Sequence, residues 1–225
     1  MDNPHSARGS VDSARPAGSG YGHIECGADW AEADRVLVVL HGRDRAPEDL
    51  VELFVTQEQA NDTRILAPYA PDRSWYAGRY DAPIAENETA VAEGLAHIGA
   101  VMALGTAHGI DLSRTVLAGF SQGACMALEY LLGVPARPAA AAVFTGSVLG
   151  IAGAGEAQPN FDGLPVLMTG GDGDPWLPVG DLRASAALME MYGADVHLEI
   201  FPDSDHAVRE RELTLLGQLI DRVAA

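Results

Sequence analysis

The sequence predicts an α/β fold, a mainly parallel central sheet with helices on both faces. Three observations carry that expectation. Short apolar, β-branched runs alternate with longer stretches of helical character, the order expected when parallel strands are joined by crossover helices. The strongest of those runs, VLVVL, has no polar face, as a strand buried on both sides requires. Finally, 225 residues of which 48% are hydrophobic and only 20% charged suit a single well-buried core of a size that one α/β domain routinely reaches.

Taken in order, Met1 to Gly20 carries two Arg and two Pro but no apolar segment of the kind a secretory signal needs, and it reads as a flexible tail ahead of one domain over 21–225. Strands are expected at Val36–Leu40, Arg64–Ala67, Thr115–Ala118, Ala141–Thr145, Val166–Thr169 and Val196–Phe201, a minimum of six. Helices are expected at Pro47–Ala60, Ile84–His108, Gln122–Leu132, Val179–Tyr192 and Arg209–Val223. The last places Leu213, Leu216, Leu219, Ile220 and Val223 at amphipathic spacing. Gly146 to Gly163, rich in Gly, Ala and Pro, reads as a loop over one edge of the site, a candidate short lid. No uninterrupted apolar run approaches the length needed to cross a bilayer.

Charge restricts the partners. The chain has 32 acidic and 14 basic residues, a net charge of −18, and would be repelled by nucleic acid and by anionic membranes. All the basic residues are Arg, which fits either a GC-rich genome or adaptation to high salt. Cys26 and Cys125 are expected to remain free thiols, because Cys125 falls on a buried helix and a cytoplasmic chain rarely holds a disulfide. No zinc-binding spacing of His, Cys or Glu is present, so no metal and no cofactor is expected.

The chemistry centres on Gly119-Phe120-Ser121-Gln122-Gly123. This G-x-S-x-G lies between the apolar run TVLA and the helical QGACMALEYLL, the strand–turn–helix setting that presents a nucleophilic serine above a sheet. A serine hydroxyl needs a base. His206, in the loop between the last strand and the last helix, is the one histidine placed to supply it; His41 ends a strand, His97 and His108 lie on a helix, and His197 lies within a strand. An acid should follow the intervening strand, where Asp172 and Asp174 compete in GGDGDPWLPV. Pro175 restrains its predecessor to an extended conformation, which favours Asp174. Backbone N–H groups of Gln122 and Arg43 are the expected oxyanion donors.

With these motifs the chain resembles the phospholipase/carboxylesterase family of α/β hydrolases, which includes the acyl-protein thioesterases. LHGR, RSWYAGRY followed by IAENE, GFSQGACMALEY, GDGDPWLPV and DHAV carry the resemblance from about Val36 to the C-terminus. It places nucleophile, acid, base and oxyanion donors on the same residues, Ser121, Asp174, His206, Arg43 and Gln122. It also implies substrate contacts at Trp75, Tyr76 and Trp176. RSWYAGRY and the ENE turn look closer to the small bacterial esterases of the family than to its protein depalmitoylases. The implied function is a cytoplasmic, cofactor-independent serine carboxylesterase for short to medium acyl esters, a possible homodimer whose partner is a small-molecule ester. The alternatives are a thioesterase or lysophospholipase on the same residues, and a non-catalytic binding protein that keeps the fold.

Overall fold

The structure, a computed structural model, describes residues 12–14, 20–150 and 159–223. Its strands are β1 (Asp12–Ala14), β2 (Gly22–Gly27), β3 (Arg35–Leu40), β4 (Thr63–Tyr69), β5 (Thr115–Phe120), β6 (Ala140–Phe144), β7 (Pro165–Gly171) and β8 (Asp195–Phe201). They form one sheet in the order β1-β2-β4-β3-β5-β6-β7-β8. Pairing from β4 to β8 is parallel, while β1 with β2 and β2 with β4 are antiparallel.

Alternation along each strand sorts side chains onto two faces. Leu37 and Val39 of β3 join α1 (Pro47–Val55) and α5 (Glu210–Val223) through Leu50, Phe54, Leu216 and Ile220. Val36, Val38 and Leu40 point the other way, to α2 (Glu88–Ala107) and α3 (Gln122–Gly133) through Ile98, Met102 and Met126. A third cluster joins β6 and β7 to α4 (Val179–Met191) through Val143, Met168, Leu182 and Met189. All six residues of β3 and of β5 are buried, which is why VLVVL and TVLA are continuously apolar. Cys26 and Cys125 are buried on opposite faces of the sheet, too far apart in direction to pair.

Several elements differ from the sequence-based expectation. β2 was not anticipated, since its glycine ends and single Glu hide an alternation in which Ile24 and Cys26 face the core. Asp12–Ala14, within the segment read as a tail, pairs with β2; most of that segment lies outside the described residues. The helix expected from Ile84 splits at Asn87, a buried residue whose Oδ1 accepts from Gly78 N at 2.9 Å and whose Nδ2 donates to Arg79 O at 3.1 Å. That amide secures the RSWYAGRY loop. In the loop expected over 146–163, residues 151–158 lie outside the described residues. Taken as a whole, α2 is apolar enough to span a bilayer by length and composition, contrary to the reading of uninterrupted runs. It nevertheless packs Val91, Ile98, Val101 and Met102 into the core.

The topology fixes where a site can form. The chain leaves β3 toward β4 on one side and returns to β5 on the other, and α1 and α3 cover opposite faces. The loops after β3 and β5 therefore diverge at their C-terminal ends and open a crevice, the usual position of a site in such sheets.

One buried carboxyl, Glu129 on α3, accepts from Leu149 N at 2.8 Å, and burial pushes its pKa up to about 7. The native chain therefore holds a proton that the unfolded chain has already lost between about pH 4.5 and 7. Stability falls as pH rises through that window and levels off above it. Glu129→Gln keeps the acceptor and removes the charge. Urea unfolding should find it about 2 to 3 kcal/mol more stable than the parent at pH 8 and nearly equal at pH 5; equal stability at both would contradict this assignment.

Candidate active site

Ser121 sits where β5 stops and α3 begins, at φ 54° and ψ −118°, a conformation that L residues rarely hold and that persists only when the surroundings enforce it. Its N–H donates to Phe144 O at 2.9 Å and its carbonyl accepts from Cys125 N at 3.0 Å, so the turn is bonded to both the neighbouring strand and the new helix. The two motif glycines make the turn sterically possible. A Cβ on Gly119 would lie 2.4 Å from Gly123 O, and a Cβ on Gly123 would lie 2.2 Å from Leu40 O. The helix thus rests directly on the backbone of β3.

The histidine loop after β8 brings His206 to this turn. Its Nε2 is 2.8 Å from Ser121 Oγ and its Nδ1 is 2.7 Å from Asp174 Oδ2. With Nδ1–H donating to the carboxylate, Nε2 is left as an acceptor for the serine hydroxyl, the arrangement a general base needs. The Asp174 side chain is withdrawn from solvent, and its other oxygen, Oδ1, accepts from Trp176 N at 2.7 Å and Leu177 N at 3.1 Å. One oxygen is thus fixed by the turn through Pro175 while the other faces the imidazole. Asp172, the competing carboxylate, is exposed and makes its main-chain bond to Phe201 O.

Main-chain pairing holds the acid and histidine loops together. Asp172 N bonds to Phe201 O at 2.8 Å and Gly173 N to Asp203 O at 2.9 Å, while Gly171 lies so close to Asp203 that a Cβ would meet its carbonyl at 2.7 Å. Arg209 then braces the histidine loop from within, donating to the Asp203 carboxylate, to Asp205 O at 2.8 Å and to Ala207 O at 3.2 Å. Glu212, fully buried, accepts from Arg209 N at 2.6 Å and from the Thr169 hydroxyl at 2.5 Å, linking that loop to β7. These residues have no motif of their own, although an Arg three positions before a Glu at the start of a helix was a local signal.

Two of the residues lining the cleft, Gln122 and Arg43, have backbone N–H groups that could meet a substrate oxygen. Gln122 is the first residue of α3, where no intrahelical acceptor exists. Among the described residues the Arg43 N–H, in the loop after β3, makes no hydrogen bond. The side chain of Gln122 has a further role that the sequence did not disclose. It is 5% exposed, and its amide accepts from Trp75 N at 2.9 Å and donates to Tyr76 O at 2.7 Å. Arg43 grips the same loop, donating to the carbonyls of Tyr76, Ala77 and Gly78.

The three aromatic residues expected at the substrate divide. Trp176, 65% exposed, stands at the rim of a cleft of about 360 Å³ around Ser121 and His206. Tyr76 is nearly buried but contributes to the cleft wall. Trp75 does not line it: at 1% exposure it packs on His41, and its indole N–H donates to His41 O at 2.9 Å. The expectation of substrate contact at Trp75 is therefore corrected to a core role. His41 is itself structural, with Nδ1 2.7 Å from Gly42 O and Nε2 accepting from Ala70 N at 3.1 Å, and burial lowers its pKa. On the β6 side of the cleft, Thr145 is 2% exposed and its hydroxyl has no partner among the described residues. No group of three or more His, Cys, Asp or Glu among the described residues could hold a metal ion.

Comparison with known proteins agrees with this architecture. A solved structure described as a phospholipase/carboxylesterase from Dyadobacter fermentans superposes with a TM-score of 0.81 at 31% identity, covering 88% of this chain and 95% of its own. The structure of esterase PE8 gives a TM-score of 0.74 at 24% identity, covering 95% of this chain and 100% of its own. A carboxylesterase from Mesorhizobium loti also gives 0.74, at 17% identity, over 93% of this chain and 98% of its own. The latter two are likenesses of fold. No curated protein sequence matches the chain. The model of the phospholipase/carboxylesterase family matches residues 22–223, and the chain belongs to that family of α/β hydrolases.

Proposed function

We propose that the protein is a serine carboxylesterase acting on short- to medium-chain carboxylic esters through an acyl-enzyme on Ser121. One observation carries this reading: an unbroken line of hydrogen bonds from Ser121 Oγ through His206 to the withdrawn carboxylate of Asp174. As Ser121 Oγ attacks the ester carbonyl, its proton passes to His206 Nε2, and the charge on the carbonyl oxygen is met by the N–H groups of Arg43 and Gln122. Asp174 steadies the imidazolium without taking its proton. His206 then gives that proton to the departing alcohol, leaving the acyl group on Ser121. Water, deprotonated by His206, repeats the sequence and releases the acid and free serine. No cofactor enters these steps. Tyr76, Tyr80, Leu177 and Trp176 bound the cleft with apolar surface that suits a chain of modest length.

Turnover of p-nitrophenyl butyrate tests the reading. Ser121→Ala should reduce kcat by on the order of a million-fold, to a small residue of binding and oxyanion catalysis. Asp174→Asn, which keeps the shape but lets the imidazole adopt the wrong tautomer, should cost about ten-thousand-fold, while Asp172→Asn should stay within a few-fold. Equal losses for Asp172→Asn and Asp174→Asn would reverse the assignment of the acid.

A further inference from the structure

The charge lining the cleft is opposite to that of the molecule. The chain carries −18, yet three arginines, Arg43, Arg45 and Arg79, line the cleft against one exposed carboxylate, Asp44. Two of the three keep their charge uncompensated. Arg43 is held by neutral carbonyls and lies over the Tyr76 ring, with its carbon 5.8 Å from the centroid, so it is positioned without being neutralised. Arg45 is exposed and forms no ion pair or hydrogen bond through its side chain among the described residues. Arg79 is matched to Asp81 by two contacts. Isolated cations in a strongly acidic protein would ordinarily be drawn to its many carboxylates; these instead line the same cleft as Ser121, where a concave wall focuses their field.

Arg43 and Arg45 follow β3, on one flank of Ser121, and Thr145 follows β6, on the other. A buried hydroxyl without a partner is costly, and a polar atom of a substrate would relieve it. Beyond the ester group itself, a simple alkyl ester offers the arginine side chains no charged group to bind.

We propose that the ester taken by this site carries an anionic group, recognised by the Arg43 and Arg45 flank of the cleft. The inference rests on the esterase reading and names its substrate class. An anion is also what a guanidinium fork binds best, through two parallel N–H contacts to paired oxygens.

Two matched pairs of esters decide it. The mono-p-nitrophenyl ester of adipic acid against p-nitrophenyl hexanoate places the charge on the acyl side, and 4-butyryloxybenzoate against 4-butyryloxybenzamide places it on the alcohol side. In at least one pair the anionic member should have a kcat/KM about tenfold higher at low ionic strength, a preference that shrinks toward parity in molar salt and in Arg45→Gln. Calorimetric binding of the same compounds to Ser121→Ala gives a readout independent of turnover. If the parent hydrolyses no ester, the esterase reading fails, and tighter binding of an anionic member still supports the cleft's charge preference. If neutral members are bound and turned over as well as anionic ones in both pairs, or if Arg45→Gln leaves the preference intact, the inference is overturned while the esterase reading stands.

Discussion

The turn at Ser121 is the constraint on which the rest of the site depends. A serine at φ 54° is uphill for its own backbone, and it stays there because the start of α3 is pressed onto β3 with no room for a side chain at Gly119 or Gly123. That contact does two things at once. It lifts the hydroxyl clear of the sheet, and it leaves the first N–H of α3 beside the loop after β3, where the N–H of Arg43 also stands open. The Ser121 hydroxyl and the two N–H groups proposed to meet the substrate oxygen are thus set by one packing event at the crevice where the sheet changes direction.

His206 and Asp174 arrive by a different route, on two loops joined to one another by main-chain bonds. The bonds from Asp172 and Gly173 to the end of β8 fix the loops in register, and Arg209 with Glu212 stops the histidine loop from lifting away. Buried charge is costly unless paired and hydrogen-bonded, and here every oxygen of Glu212 has a donor. Apolar replacements for such a network would keep the core but release the loop; the ionic version is what ties His206 to a height at which Ser121 is within 2.8 Å.

Much of this was legible in the sequence because its signals are local. The G-x-S-x-G with its strand and helix, the Asp-Pro pair and the histidine before the last helix each depend on a few adjacent residues, and the continuous apolar runs marked the strands buried on both faces. Other features depend on contacts between distant segments. Trp75 looks like a site residue because it adjoins Tyr76, yet its partner is His41, 34 positions away. Asn87 breaks a helix to hold Gly78 and Arg79, and Gln122 secures a loop 46 residues earlier in the chain. Strand β2 escaped notice because glycines at both ends obscure its alternation. The charge of the cleft was invisible for the same reason: only the fold gathers Arg43, Arg45 and Arg79 around one serine, with Asp44 the one exposed carboxylate among them.

The proposed reaction passes through a covalent acyl intermediate on Ser121. Acid quenching of the protein within milliseconds of mixing with p-nitrophenyl butyrate, followed by mass spectrometry of its peptides, tests this directly. A butyryl adduct is expected on the peptide carrying Ser121, absent from Ser121→Ala and accumulating in His206→Ala only at a greatly reduced rate. Ester hydrolysis without any adduct on that peptide, or an adduct on a different residue, would contradict it.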